Sequence, residues 1–340
     1  MDEVIGWLLE GDSAVRHQTL SDLLDTDRAE NRSAVGSDGD AAVLLAARGP
    51  DGHWGRGFYQ PKWTCSHYTL LELRELELPG SHALAQATVE LILQEKAADR
   101  GVSPGRSVKF SDVCVDGMFL NYASWFGAGA SGLASVVDCL LAEAMPDGGF
   151  NCQRKRPGTK TASVHTTVSV LEGFTSYLDA GVGHRREEVR RARDDAVECL
   201  LARELFRSRR TGEAIRPEFT RLHHPARWHF DVLRALDALR GADVPADPRM
   251  NAAIAVVLAR RRPDGRWAAS RGYPGQTHLR YPTPSQPNRW ITLRALRVLR
   301  TYPPETGSVQ TSAGVRDRKQ HVGSRLSIES ILDHRDADRR

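Results

Sequence analysis

Three segments of this chain are near copies of one another: Arg48-Gly49-Pro50-Asp51-Gly52-His53-Trp54, Met145-Pro146-Asp147-Gly148-Gly149-Phe150 and Arg262-Pro263-Asp264-Gly265-Arg266-Trp267. Each closes an apolar run with helical spacing, and each is followed, after a loop, by another such run. A degenerate copy, Asp99-Arg100-Gly101-Val102, lies midway between the first two and sets an early period of about 48 residues, a length that marks helical-repeat arrays. A single helix pair cannot bury its own apolar face, so a chain built this way is constrained to stack its pairs. Within each loop, Gly tolerates the backbone angles that end a helix, Pro cannot continue one, and the aromatic can staple neighbouring pairs together.

The pairs can be read from the apolar spacing. First helices are predicted around Ala41 to Leu45, around Ala87 to Leu91, and over Leu133 to Met145, Val189 to Leu205 and Met250 to Arg261. Second helices are predicted to start near Trp63, Ser111, Ala162, Arg227 and Arg289. The N-terminal segment, with Trp7-Leu8-Leu9, the turn Gly11-Asp12-Ser13 and Arg16 to Leu20, makes a sixth pair. Laid over one another, the second helices share one column holding His17, His67, Cys114, His165 and His229. Two residues on, a second column holds Thr19, Thr69, Asp116, Thr167 and Asp231. In the last pair two registers compete, one of which puts Arg289 in the first column.

At 340 residues, 40% of them hydrophobic and 26% charged, the chain can bury a large core. No run approaches a membrane span and the first residues lack the order of a signal peptide, so a cytoplasmic location is expected. Five cysteines at irregular spacing (Cys65, Cys114, Cys139, Cys152, Cys199) point to thiols or metal ligands rather than a disulfide framework. Basic runs are interleaved with acidic residues, the net charge is only +4, and no nucleic-acid module is recognisable, so nucleic acid is not an expected partner. After Tyr302 the periodicity fades. Residues 303–340 read as a linker or tail with a short apolar segment, Leu326 to Leu332, able to dock on the body or on a protein partner.

Six helix hairpins with Asp-Gly-aromatic loops resemble the α/α toroid shared by squalene and terpenoid cyclases and by protein prenyltransferase β subunits, over most of residues 1–302. The Gln-Trp pair named for the cyclases is missing. The resemblance implies an all-α barrel of about six hairpins, in one domain over 1–302, with inner and outer helix rings. The inner helices of such a toroid would gather their N-termini, with unpaired N–H groups and positive dipole ends, at one mouth of the cavity.

A sharper likeness lies at two inner-helix starts. Asp112-Val113-Cys114 and His165-Thr166-Thr167 are similar to the Asp-x-Cys and His that hold zinc in protein prenyltransferases. The resemblance implies Asp112, Cys114 and His165 as zinc ligands, with Cys152 and His229 in reserve. Two residues of separation on a helix turn side chains about 200° apart, so Asp112 and Cys114 converge only if Asp112 lies at or before the N-cap. For an isoprenoid diphosphate, Arg154 and Lys155 form the expected basic cluster, and Trp63, Trp228 and Trp290 the expected aromatic wall. The chain lacks the Asp-x-Asp-Asp acid of class II cyclases, Asp25-Thr26-Asp27 being only a fragment. An acid role would therefore fall to Asp116 or Asp231, with His229 beside them. The second column also has a plain structural reading, in which its Thr and Asp side chains bond locally near helix starts. The functional expectation is an isoprenoid-handling enzyme of the cyclase or prenyltransferase type, zinc-dependent, acting on a small molecule in the central cavity. The alternative is a non-catalytic toroid that serves as a ligand-binding or scaffold protein.

Overall fold

The computed structural model describes residues 2–304 apart from 27–28, 97–100, 103–111 and 153–158. Among the described residues there are thirteen α-helices and no β-strand. They are α1 (Asp2–Leu9), α2 (Ser13–Leu24), α3 (Ala29–Ala34), α4 (Gly39–Ala46), α5 (Ser66–Glu75), α6 (Ala83–Lys96), α7 (Val113–Trp125), α8 (Ala130–Ala142), α9 (Val164–Asp179), α10 (Arg186–Leu201), α11 (Val232–Gly241), α12 (Asn251–Ala259) and α13 (Arg289–Thr301). Every helix expected from the apolar spacing is present, and α3, a polar single turn and a half with no buried residue, is the addition. None of the described helices is long and apolar enough to cross a membrane.

The three repeat loops are superimposable in their bonding. In each, the N–H four residues before the residue preceding the aromatic closes the turn: Gly49 N donates to His53 O, Met145 N to Gly149 O and Arg262 N to Arg266 O. The Gly of each Asp-Gly pair sits at positive φ, 87° at Gly52, 81° at Gly148 and 79° at Gly265, where a Cβ would be strained. The aromatics that follow, Trp54, Phe150 and Trp267, are fully buried. Both indoles donate backwards by ten residues, Trp54 Nε1 to Leu44 O at 2.6 Å and Trp267 Nε1 to Val257 O at 2.8 Å. Each indole thereby adds a second donor to a carbonyl at the C-terminal end of α4 or α12 that also accepts from the cap N–H, of Ala47 or of Arg260.

Each loop is then pinned to the start of the next helix by a side chain. Trp54 N donates to Ser66 Oγ at 2.9 Å, Phe150 N to Thr167 Oγ1 at 3.1 Å and Trp267 N to Thr292 Oγ1 at 3.0 Å. The degenerate copy does the same with a carboxylate, Val102 N donating to Asp116 Oδ1 at 2.8 Å. Asp231 Oδ2 likewise accepts from His223 N at 3.0 Å. In the second column Asp116, Thr167 and Asp231 are thus loop clamps, each worth about 0.5–1.5 kcal/mol, whereas Thr19 Oγ1 donates to Val15 O within its own helix and Ser66 rather than Thr69 holds the first loop. Thr292 places Trp290, not Arg289, in the first column of the last pair. In the first-column register His229 lies ahead of its helix, because Asp231 caps α11 by accepting from Arg234 N at 2.9 Å.

Packing divides the helices into two sets. Helices α2, α5, α7, α9, α11 and α13 are buried along much of their length, whereas α6, α8, α10 and α12 keep an exposed face. Neighbours in the buried set touch in chain order, α5 with α7, α7 with α9, α9 with α11 and α11 with α13, and α13 packs on α2. Helices α7 and α9 make the most extensive pair. Two glycines permit it: a Cβ on Gly117 would lie 2.8 Å from Ser169 O, and one on Gly173 would lie 2.3 Å from Gly117 O.

All six buried helices line one cavity of about 160 Å³, and its walls are charged. Arg297 of α13 donates through Nε to Asp237 Oδ1 of α11 at 2.7 Å and through Nη1 to Gln18 Oε1 and Asp22 Oδ2 of α2, both at 2.9 Å. Arg294 Nη2 reaches Glu75 Oε2 of α5 at 2.8 Å. Arg234 forks onto Glu172 of α9 at 2.9 and 2.7 Å. Removing one partner of such a pair leaves the other charge buried and uncompensated, which costs far more than the pair itself contributes. Arg297→Met is therefore expected to lower unfolding free energy by about 3–5 kcal/mol. Adding Asp237→Leu is expected to restore part of that loss, as read from urea midpoints of the two single variants and the double variant.

Candidate functional site

A larger pocket, about 540 Å³, opens where α7 and α9 begin. Its lining includes Tyr59, Lys62, Asp112, Cys114, Cys152, His165, Arg216 and Trp228. Helix α7 brings Cys114 in its first turn, with Asp112 as N-cap in extended geometry, the position that convergence requires. Helix α9 brings His165 in its first turn. The loop after Asp147-Gly148-Gly149 brings Cys152, held by Thr166, whose Oγ1 lies 3.4 Å from both Cys152 N and Cys152 Sγ. Asp112, Cys114 and His165, and of the two reserve ligands Cys152, thus border one pocket, while His229 is not part of its lining.

The two cysteines are in direct contact. Cys114 N donates to Cys152 Sγ at 3.1 Å, which sets the Cys152 side chain against the first turn of α7, beside Cys114. The proximity of the two side chains holds the Cys152 thiol below its usual range and pushes Cys114 well above it, burial adding to the rise at Cys114. His165 is committed elsewhere: its Nδ1 accepts from Phe230 N at 2.8 Å. A neutral imidazole has one lone pair, so Nε2 carries the ring proton in this arrangement and can only donate. Burial, with Arg234 and Arg216 nearby, lowers the His165 pKa to about 4 and keeps the ring neutral. As disposed here the set does not fit a zinc ion. Among the described residues no three His, Cys, Asp or Glu side chains are grouped so as to hold a metal.

The expected acids are engaged away from the pocket. Asp116 is fully buried on the side of α7 facing α8, where Oδ1 accepts from Val102 N and Cys139 Sγ lies 3.6 Å from Oδ2. Asp231 spends its two oxygens on Arg234 N and His223 N. Their carboxylates brace the fold, a role the spacing alone could equally have given them. His229 is stacked between Trp228, at 3.8 Å between ring centroids, and Tyr273, at 3.2 Å. Burial, with the neighbouring His165, lowers its pKa to about 3, so it is not poised for proton transfer near neutral pH.

Of the three tryptophans expected as a wall, Trp228 lines the pocket. Trp63 is buried instead beneath a strap formed by residues 268–288: its Nε1 donates to Pro274 O at 2.6 Å and Arg227 lies 4.3 Å over its ring. Trp290 borders a separate cavity of about 240 Å³ and stacks on His224. Arg154 and Lys155 lie outside the described residues. Among the described residues, the cations at the pocket are Lys62, 5.5 Å above the Trp228 ring, and Arg216. Lys62 had a local signal, its place in Tyr59-Gln60-Pro61-Lys62-Trp63. Arg216 had none, because it sits in an irregular segment without periodicity.

The strap makes a third link across the sequence: Tyr281 OH donates to Glu72 Oε1 of α5 at 2.6 Å. Burial raises Glu72 to about 7. No known family model and no curated protein sequence matches this chain.

An acid whose folded pKa is raised holds its proton longer when folded than when unfolded. Stability from Glu72 therefore falls as pH rises from about 4.5 to about 7. Glu72→Gln, which keeps an acceptor for Tyr281, is expected to match the parent near pH 4.5. At pH 8 it should exceed the parent by up to about 3 kcal/mol, measured by urea unfolding at each pH.

Proposed function

We propose that the chain is an α/α toroid of the squalene cyclase and prenyltransferase type that works as a ligand-binding protein. Its mouth pocket takes a small anionic molecule with an apolar part, the class to which prenyl diphosphates belong. The ring is supported by the order of packing, from α5 through α7, α9, α11 and α13 to α2. It is supported also by Gln18 Nε2 of α2, which donates to Glu75 O at the end of α5.

One observation carries the functional reading: a single pocket of about 540 Å³ is bordered by Lys62 and Arg216 together with the aromatic side chains of Trp228 and Tyr59. That volume lies within the range of small-molecule sites, and the lining pairs donors for an anion with an apolar surface for the rest of the ligand. Binding is favoured over cyclisation by the state of the interior. The cavity shared by the six buried helices is walled by arginine–carboxylate pairs rather than apolar side chains, both oxygens of Asp231 accept from backbone N–H groups, and those of Asp116 are engaged by Val102 N and the Cys139 thiol.

Thermal unfolding of the full chain with inorganic pyrophosphate, geranyl diphosphate and geraniol tests this reading. A ligand at about 100 times its Kd stabilises by about 2.7 kcal/mol, enough to raise Tm by several degrees. Geranyl diphosphate is expected to give the larger rise, pyrophosphate a smaller one and geraniol none. Lys62→Ala with Arg216→Ala should remove both rises, and Trp228→Ala should remove only the excess due to the tail. Absence of any rise with either diphosphate sinks the proposal.

A further inference from the structure

Two of the five cysteines stand apart from the others. Cys65, Cys139 and Cys199 are buried, and the last two are engaged elsewhere, Cys139 with Asp116 and Cys199 with Arg203, whose Nη1 lies 2.9 Å from its sulfur. Cys114 and Cys152 are only partly buried, border the same open pocket and are in direct contact, Cys114 N lying 3.1 Å from Cys152 Sγ. They come from different elements, one on the first turn of a helix and one in a loop, so either side chain can approach the other without unwinding a shared helix. We propose that Cys114 and Cys152 form a redox centre that exchanges with low-molecular-weight disulfides and closes reversibly into an intramolecular disulfide.

The surroundings assign the order of events. Cys152 Sγ receives the N–H of Cys114, from the first turn of α7, and lies 3.4 Å from the Thr166 hydroxyl. Donors aimed at a sulfur stabilise it as thiolate, and a helix N-terminus adds to this. Cys152 is therefore the attacking sulfur. Its thiolate attacks one sulfur of R–S–S–R, the S–S bond breaks, and RS⁻ leaves with the electron pair and takes up a proton. Cys114 then gives its proton to solvent and attacks Cys152 Sγ, and the second RS⁻ leaves. The protein loses two electrons and two protons, and the small disulfide becomes two thiols.

The arrangement differs from a zinc site in what it leaves free. Zinc would claim both sulfurs as thiolates and protect them from alkylation. A dithiol stays open to alkylation when reduced and becomes closed when oxidised.

The full chain, purified without added metal, should be equilibrated in glutathione buffers running from reducing to oxidising, quenched with an alkylating agent and mapped by peptide mass. The expected result is five alkylated cysteines at the reducing end. Toward the oxidising end, Cys114 and Cys152 should be lost together and appear as one cross-linked peptide, with Cys65, Cys139 and Cys199 unchanged. Cys114→Ser should stop at a glutathione adduct on Cys152, whereas Cys152→Ser should leave Cys114 without an adduct under the same conditions. Melting curves of both serine variants establish that they are folded, and the parent's peptide map decides the matter if they are not. Three results overturn the proposal: two free thiols across the whole range, separate adducts on both cysteines without a cross-link, or one equivalent of zinc that blocks both sulfurs until a chelator removes it. Each is independent of whether a diphosphate binds.

Discussion

The structure turns on Arg297. One guanidinium on the last described helix bonds to Asp237 of α11 and to Gln18 and Asp22 of α2, tying the end of the chain to its beginning. Two further arginines, Arg294 and Arg234, repeat the arrangement toward α5 and α9. Buried ion pairs are poor sources of net stability, since the cost of removing charges from water offsets most of their attraction. A carboxylate left without its arginine is costly, so placements of these helices that separate the pairs are penalised.

Around that centre the repeat loops do a second job. Each carries a turn closed by its glycine, a fully buried aromatic and a backbone N–H caught by a side chain of the next helix. The same three contacts serve each full copy, so the spacing between a helix and its successor is set locally. This leaves the segments between loop and helix free to vary in sequence. Across two successive pairs, α6–α7 and α8–α9, that freedom is used to place two cysteines, a histidine and a threonine at one opening.

Much of the architecture was legible because it depends on short-range chemistry. Pro-Asp-Gly followed by an aromatic has one economical conformation, and apolar spacing sets helix positions within a few residues. Less of the site was legible. Cys114, Cys152, His165 and Asp112 were expected to meet and do border one pocket, because helix starts and the loop before them fall together in a repeat. What their side chains do there depended on neighbours remote in sequence. His165 lost its lone pair to the backbone of Phe230, and Trp63 was covered by the strap from 268–288. Arg216, which borders the pocket, lies in a segment with no pattern to mark it.

The sequence by itself determined a helical-repeat protein, the positions of its paired helices and the loops that join them, since each rests on turn geometry and on periodic burial over a few residues. Only the tertiary structure decided which charges neutralise one another, which carboxylates brace loops instead of facing a cavity, and which cysteines touch. Those outcomes are set by distances between groups far apart in the chain, and in a low-dielectric interior a shift of a few ångströms changes the partner and with it the protonation state.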